Sequence, residues 1–79
     1  MTQDEEKNIV LDYLKGKNIG QWTNEEDIEK EFTQTINHVQ IRKLLPELVK
    51  EKYLEFSRNG CSYKITADGR RFSNNGGYK

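Results

Sequence analysis

The chain has 79 residues, 33% of them hydrophobic and 33% charged, and its 13 basic side chains balance its 13 acidic ones. A chain of this length makes one domain with a small core, so each core residue matters. No apolar run reaches the length of a membrane span or of a signal-peptide core, and Cys61 as the only cysteine excludes an internal disulfide. We therefore expect a cytoplasmic protein without a membrane anchor.

The charges are distributed unevenly along the chain. Residues 1–33 hold nine acidic and four basic side chains, whereas residues 34–79 hold nine basic and four acidic ones. Such an asymmetry suggests that the later half faces a polyanion. The alternative is an ordinary solvated surface, because the halves of a sequence are not the faces of a fold.

A first helix is predicted over residues 4–15. The segment begins with acidic side chains and ends just before Gly16, which is typical of a helix. Four apolar residues fall on one face at helical spacing: Ile9, Val10, Tyr13 and Leu14. Residues 16–22 then indicate a turn and a short extended segment, in which Ile19 and Trp22 are expected to anchor the core.

A second, shorter helix is predicted in "TNEEDIEKEF", residues 23–32. Thr23 and Glu26 match the capping-box pattern, which predicts Thr23 as the N-cap. Ile28 and Phe32 lie four residues apart and should share the inner face of this helix.

A third helix is predicted over residues 36–52, with Thr35 as its N-cap. Its apolar residues form one stripe: Ile41, Leu44, Leu45, Leu48 and Val49. Pro46 lies inside the helix and cannot donate a backbone hydrogen bond, so we expect a bend or break between Gln40 and Pro46.

A β-hairpin is predicted in "YLEFSRNGCSYKIT", residues 53–66. Asn59-Gly60 is the dipeptide that best tolerates the two positive φ angles of a type I′ turn. Placing this dipeptide at the turn gives the pairs Arg58–Cys61, Ser57–Ser62, Phe56–Tyr63, Glu55–Lys64 and Leu54–Ile65. The two apolar pairs then share one face, and the pair of opposite charge lies on the other.

A short last helix is predicted after the hairpin, with Thr66 as its cap and Phe72 in its sequence. The final residues are rich in Gly and Asn and have little apolar surface to bury. We therefore predict one domain over residues 1–73 and a flexible C-terminal tail over residues 74–79.

Three segments of the sequence point to one family. They are "IEKEF" at 28–32, "IRKLLPELVKEKYLEF" at 41–56 and "YKITADGRRF" at 63–72. Over about residues 5–72 the chain resembles the winged helix-turn-helix domain of bacterial and phage transcriptional regulators. The last segment is the most specific, since it is similar to the Tyr-x-Leu-Thr-x-x-Gly-Arg run that closes the wing. Two positions depart from the family pattern, because Lys52 stands where Gly is usual and Pro46 interrupts the recognition helix.

The resemblance implies an α+β fold with a three-helix core, a C-terminal β-hairpin wing and a short last helix. It also implies binding of double-stranded DNA, with the third helix in the major groove and the wing on the backbone or minor groove. If the apolar stripe faces the core, Ile36, Val39, Gln40, Lys43 and Glu47 turn outward. The predicted DNA-binding residues are Thr35, Asn37, Val39, Gln40, Arg42, Lys43, Arg58, Asn59 and Lys64. For Lys64 and Arg58 the alternative is pairing with Glu55 and simple solvation, respectively. No cofactor is expected.

A second hypothesis is a protein-interaction module on the same fold, which acts as a homodimer or docks a protein partner without binding DNA. Zero net charge, the acidic first half and an exposed Ile36–Val39 pair motivate it. An enzyme is disfavoured, because the sequence has no Gly-rich phosphate loop and only Cys61 and His38 could form a nucleophile pair. One histidine and one cysteine do not make a ligand cluster, so no metal site is expected.

Overall fold

The computed structural model describes residues 2–17 and 20–78, which form four helices and three short strands. In chain order the elements are α1 (Gln3–Lys15), β1 (Thr23–Asn24), α2 (Glu25–Glu31), α3 (His38–Lys50), β2 (Leu54–Ser57), β3 (Ser62–Ile65) and α4 (Ala67–Asn74). The predicted α+β class is confirmed. None of the helices in this part of the chain has the length and apolarity needed to cross a membrane. The expected core anchor Ile19 lies outside the described residues.

The three strands form one antiparallel sheet in the order β1-β3-β2. The predicted hairpin register is confirmed for four pairs: Leu54–Ile65, Glu55–Lys64, Phe56–Tyr63 and Ser57–Ser62. The predicted turn type is wrong. Cys61 has a φ of 47°, whereas Asn59 and Gly60 have no positive φ. A type I′ turn needs both central residues in the left-handed region, so the chain reverses here by a different turn whose left-handed residue is Cys61.

The hydrophobic core lies between α1, α2, α3 and the sheet. Its buried apolar residues are Val10, Leu11, Leu14, Ile28, Phe32, Ile36, Ile41, Leu44, Leu45, Leu48, Leu54 and Tyr63. The predicted stripe of α3 is buried except for Val49, which is half-buried at the edge. On α1 the core contains Val10 and Leu14 of the predicted face and also Leu11, because two neighbouring helices and the sheet surround this helix. The other two residues of the predicted face, Ile9 and Tyr13, are half-buried against the core.

The end of β1 shifts the cap of α2 by one residue. Asn24 Oδ1 accepts a hydrogen bond from the backbone N–H of Glu26 at 2.9 Å, so Asn24 is the N-cap. The prediction of Thr23 as the cap is wrong, because Thr23 pairs with Tyr63 in the sheet. Its buried Oγ1 has no hydrogen-bond partner among the described residues. The expectation that Trp22 anchors the core is also wrong, since its side chain is 42% exposed.

A turn between α2 and α3 corrects two further predictions. The backbone N–H groups of Thr35 and Ile36 both donate to the carbonyl of Phe32, at 2.9 and 2.7 Å. Asn37 rather than Thr35 is the N-cap of α3, because Asn37 Oδ1 accepts from the N–H of Val39 at 2.8 Å. Ile36 precedes the helix, so the helical phase does not set its direction. Its side chain is buried at 2% exposure, and the predicted exposed pair with Val39 does not exist.

Helix α3 continues without interruption through Pro46, so the predicted break does not occur, and the alternative of a bend stays a prediction. Pro46 cannot donate to the carbonyl of Arg42, which removes one hydrogen bond of the helix. Both residues are exposed, so this carbonyl lies on the solvent side of α3 rather than in the core. The loss is therefore tolerated within a helix whose opposite face is fully packed.

The C-terminal end of α3 is a Schellman motif. The backbone N–H of Lys52 donates to the carbonyl of Val49, and the N–H of Tyr53 donates to the carbonyl of Leu48, both at 3.0 Å. Lys52 has a φ of 70°, in the left-handed region that this motif requires. Lys52, which stands where the winged-helix pattern usually has Gly, thus occupies a position whose backbone conformation favours glycine.

Helix α4 packs on α1 and begins with Thr66 as its N-cap, as predicted. The ring of Phe72 stacks on Tyr53 with centroids 4.3 Å apart. Beyond α4, Tyr78 contacts the edge of Phe72, and Asn8 hydrogen bonds to both backbone groups of Tyr78 at 2.7 and 2.8 Å. The predicted tail therefore makes packed contacts through Tyr78. Its flexibility in solution stays a prediction.

Candidate functional site

One side of α3 is solvent-exposed along the whole helix. We define the α3 face as Val39, Lys43, Pro46 and Lys50, all of which are exposed, with Val39 at 54%. Their spacing of three or four residues places them on one side of the helix, opposite the buried stripe. Val39 and Lys43 were predicted site residues, whereas Lys50 was not. The signal for it was available, since Lys50 follows Lys43 by two helical turns.

Gln40 and Glu47 flank this face on the side of α1. The amide nitrogen of Gln40 donates to Glu6 at 3.3 Å, and Gln40 is half-buried. Glu47 accepts from the amide of Gln3 at 2.6 Å and forms an ion pair with Lys7 at 3.4 Å. Both side chains are therefore held in contacts between α3 and α1. Gln40 was a predicted base-reading residue, and its amide is already engaged in this structure.

Arg42 flanks the α3 face on the side of α2. Its Nε donates to Glu29 at 2.7 Å and lies 3.6 Å from Glu25. The hydrogen bond to Glu29 is the main cause of a raised pKa of Arg42. The Arg42 side chain stays 60% exposed, whereas that of Glu29 is only 14% exposed. The guanidinium is thus held from one side and open to solvent on the other.

Two predicted site residues precede α3. Thr35 and Asn37 are both exposed, on either side of the buried Ile36. The side-chain oxygen of Asn37 is occupied in capping α3, which leaves its amide N–H groups as donors. These residues lie at the N-terminal end of α3, where the unsatisfied backbone N–H groups of a helix attract anions.

The β2–β3 hairpin places its basic residues in two different environments. Arg58 and Asn59 are exposed in the turn. Lys64 instead forms an ion pair with Glu55 at 3.3 Å, and its ammonium lies 4.8 Å from the ring centroid of Trp22. The alternative to a DNA contact for Lys64 was pairing with Glu55 across the hairpin, and the structure shows this pairing.

The exposed cations divide into paired and unpaired groups. Among the described residues, five exposed cations have no carboxylate oxygen within 4.0 Å: Lys30, Lys43, Lys50, Lys52 and Arg58. Arg42 and Lys64, by contrast, are compensated by glutamates. Lys43 and Lys50 lie on α3, and Arg58 lies in the hairpin turn. The other two of the five lie elsewhere, since Lys30 is on α2 and Lys52 follows the end of α3. Unpaired ammonium and guanidinium groups of this kind are suited to binding anionic oxygens.

An apolar groove lies beside the α3 face. It is lined by Pro46, Val49, Phe56 and Tyr63, and the rings of the last two are 5.1 Å apart. Phe56 belongs to the apolar face of the predicted hairpin, yet its side chain is 43% exposed. The paired residue Tyr63 is buried, so the hairpin extends beyond the core at Phe56. Alternation along a strand indicates which face a residue shares but not where the covering element ends.

The described residues contain no group of three or more His, Cys, Asp or Glu side chains that could hold a metal ion. His38 lies at the start of α3 and Cys61 lies in the hairpin turn, and both are exposed.

A scan against protein-family models finds no match, and comparisons with curated proteins and with solved structures find no significant relative. A functional assignment for this chain therefore has to come from its residues and their geometry.

Proposed function

We propose that this chain is a winged-helix domain that binds double-stranded DNA, with the α3 face in the major groove and the β2–β3 hairpin as the wing. The order of elements supports this arrangement, because the two-residue strand β1 between α1 and α2 pairs with β3, the second strand of the hairpin. A role in transcriptional regulation follows from the resemblance of the sequence to regulators of that class.

The observation that carries the proposal is that Lys43, Lys50 and Arg58, three of the five exposed cations without an ion pair among the described residues, lie on α3 and the hairpin. Two of them lie on the helix that such domains insert into the groove, and the third lies in the hairpin turn. The zero net charge of the chain does not oppose this function, since phosphate contacts depend on the local charge of the binding surface.

The remaining predicted site residues take supporting roles in the proposal. Val39 is exposed one helical turn before Lys43 on α3 and is suited to packing on a thymine methyl group. Thr35, Asn37 and Asn59 offer neutral donors for phosphate or sugar oxygens. Gln40 contributes to base reading only if DNA displaces Glu6 from its amide.

The test is an amide-shift NMR titration with a mixed-sequence DNA duplex at two salt concentrations. Shifts should be confined to residues 35–43 and 57–64, and affinity should fall steeply with salt. Each phosphate contact contributes a slope of about −0.9 to the dependence of log K on log salt concentration. The absence of shifts at low salt would refute DNA binding.

Two variants localise the site. Lys43→Ala and Arg58→Ala should each weaken binding and reduce the salt slope by about 0.9, because each removes one phosphate contact. Lys15→Ala is the matched control, since Lys15 lies at the end of α1 and pairs with Asp12 at 3.4 Å. Unchanged affinity in both site variants would place the contact surface elsewhere.

A second candidate function is protein binding at the apolar groove of Pro46, Val49, Phe56 and Tyr63. The specific observation in its favour is the 43% exposure of Phe56 next to this groove. Its homomeric form predicts concentration-dependent self-association that Phe56→Ser abolishes. Sedimentation of the unchanged chain as a monomer at high concentration would exclude that form.

A further inference from the structure

The contact between Arg42 and Glu29 has a geometry that goes beyond simple charge neutralisation. A guanidinium group has three donor nitrogens in one plane, and Nε is the one engaged by Glu29 at 2.7 Å. No acceptor for Nη1 or Nη2 occurs among the hydrogen bonds of the described residues, and the side chain is 60% exposed. The terminal fork of Arg42 is therefore held in orientation and left open.

The carboxylate that holds Arg42 is itself immobilised. The side chain of Glu29 is only 14% exposed, and it lies on α2, which packs against α3. Glu25 adds a second carboxylate 3.6 Å from the same Nε. A long arginine side chain normally loses much conformational freedom when it binds a ligand, and a fixed partner on Nε removes part of that cost beforehand.

The two glutamates also determine what the open fork can bind. Two carboxylates next to one guanidinium leave the local group negative, so a phosphate placed on the fork would be repelled by Glu25 and Glu29. A neutral group with two acceptors in one plane meets no such repulsion. In the major groove of DNA, the O6 and N7 atoms of guanine are such a pair and match the arginine fork.

We infer that Arg42 is a guanine-reading residue whose fork is oriented by Glu29, while Lys43, Lys50 and Arg58 supply the phosphate contacts. This inference rests on the proposed DNA-binding function and adds to it the base that one position of the site would require. Glu29 acts through Arg42 and is a positioning residue.

The test compares base preference as well as affinity. The preferred site of the unchanged protein is selected from a library of duplexes with 20 randomised base pairs, a length of about two helical turns. The same selection is run with Arg42→Lys and Glu29→Ala, and circular dichroism first confirms that both variants fold. The expected result is a guanine at one position for the unchanged protein, with a preference of roughly 5–150-fold over other bases. Arg42→Lys should reduce this preference, because the lysine ammonium keeps the charge but lacks the planar fork of donors.

Glu29→Ala separates positioning from charge. Removal of a carboxylate near DNA should raise general affinity, whereas loss of the contact to Nε should lower the preference for guanine. The control Glu31→Ala removes the same charge from the exposed end of α2 and should leave the base preference unchanged. A selected duplex carrying 7-deazaguanine at that position should bind the unchanged protein more weakly but bind Arg42→Ala unchanged, because only the N7 acceptor is missing.

The outcomes distinguish this inference from the proposed function. Salt-dependent binding with an identical base preference in Arg42→Lys would overturn the guanine assignment and leave DNA binding intact. A loss of affinity in Arg42→Ala that is uniform across sequences would show a phosphate contact instead, which also overturns it. Failure of the unchanged protein to retain any library duplex at low salt would refute DNA binding and the inference with it.

Discussion

Replacement of Lys52 by glycine is expected to stabilise the domain. Lys52 has a φ of 70° at the end of α3, where the Cβ of an L-residue crowds the following carbonyl oxygen. Relief of this crowding contributes about 1–2 kcal/mol. Glycine also makes the unfolded chain more flexible, which offsets about 0.4–1 kcal/mol of the gain. At the midpoints of these two ranges, the net increase in the free energy of unfolding should be about 0.8 kcal/mol.

The backbone contacts at this position do not depend on the lysine side chain. The N–H of Lys52 bonds to the carbonyl of Val49 at 3.0 Å, and its carbonyl accepts from the Thr66 hydroxyl at 2.9 Å. Glycine keeps both bonds. The variant therefore changes backbone strain and one exposed charge, and a control has to separate the two.

Lys50→Gly is that control, because it removes the same side chain and charge two residues earlier, where the backbone is helical. It should destabilise the domain by up to about 1 kcal/mol, the cost of glycine in a helix. Urea unfolding gives both free energies, and at this chain length 1 kcal/mol moves the Tm by about 4–8 °C. Equal losses of stability in the two variants would refute the reasoning, since they would show that Lys52 carries no left-handed strain in solution.

Four further substitutions test the packing of the domain and the ionisation of one tyrosine. Gly69→Ala should destabilise the domain by about 1–3 kcal/mol, because the added Cβ would overlap the carbonyl of Tyr53. Gly16→Ala should instead stabilise the domain by about 0.4–1 kcal/mol, because its Cβ meets nothing closer than 3.4 Å. Equal urea midpoints for the two variants would contradict this. Leu48→Ala should cost about 2–5 kcal/mol, and an unchanged thermal midpoint would show that the fully buried Leu48 does not pack as described. Burial, and then a hydrogen bond to a glutamate, raise the pKa of Tyr78 above its ordinary value of 10.0, so the folded state keeps a proton that the unfolded state releases. The stability that Tyr78 contributes is present below about pH 10 and is lost progressively above it. Between about pH 9 and pH 11, Tyr78→Phe should therefore lose less stability than the unchanged protein. Equal losses of stability in the two proteins over this range would contradict the prediction.

The local pattern of the sequence determined much of the fold. The apolar stripe of α3 was predictable because helical residues three and four apart share a face, and four of its five members are fully buried. The register of the hairpin was predictable because a slip by one residue would turn every side chain to the other face. The class of the fold follows from these periodicities, which depend on near neighbours in the chain.

The candidate site was predictable only in part. Four predicted site residues are exposed as expected: Val39, Lys43, Arg58 and Asn59. The pairing of Arg42 depends on residues 13 or more positions away, and no spacing rule relates them. The sequence therefore identified which side chains carry charge, but not which charges remain unpaired.

Tertiary structure decided the remaining features through contacts that local periodicity does not contain. Ile36 is buried because a turn, rather than the phase of α3, directs it, and Trp22 is exposed because it lies beside Lys64 instead of in the core. Gln40 is engaged because α1 packs alongside α3 and brings Glu6 to it from 34 residues away. By itself the sequence determined the elements and their faces, since these depend on the geometry of a single helix or strand. Only the packing of those elements decided which surface residues stay available for binding.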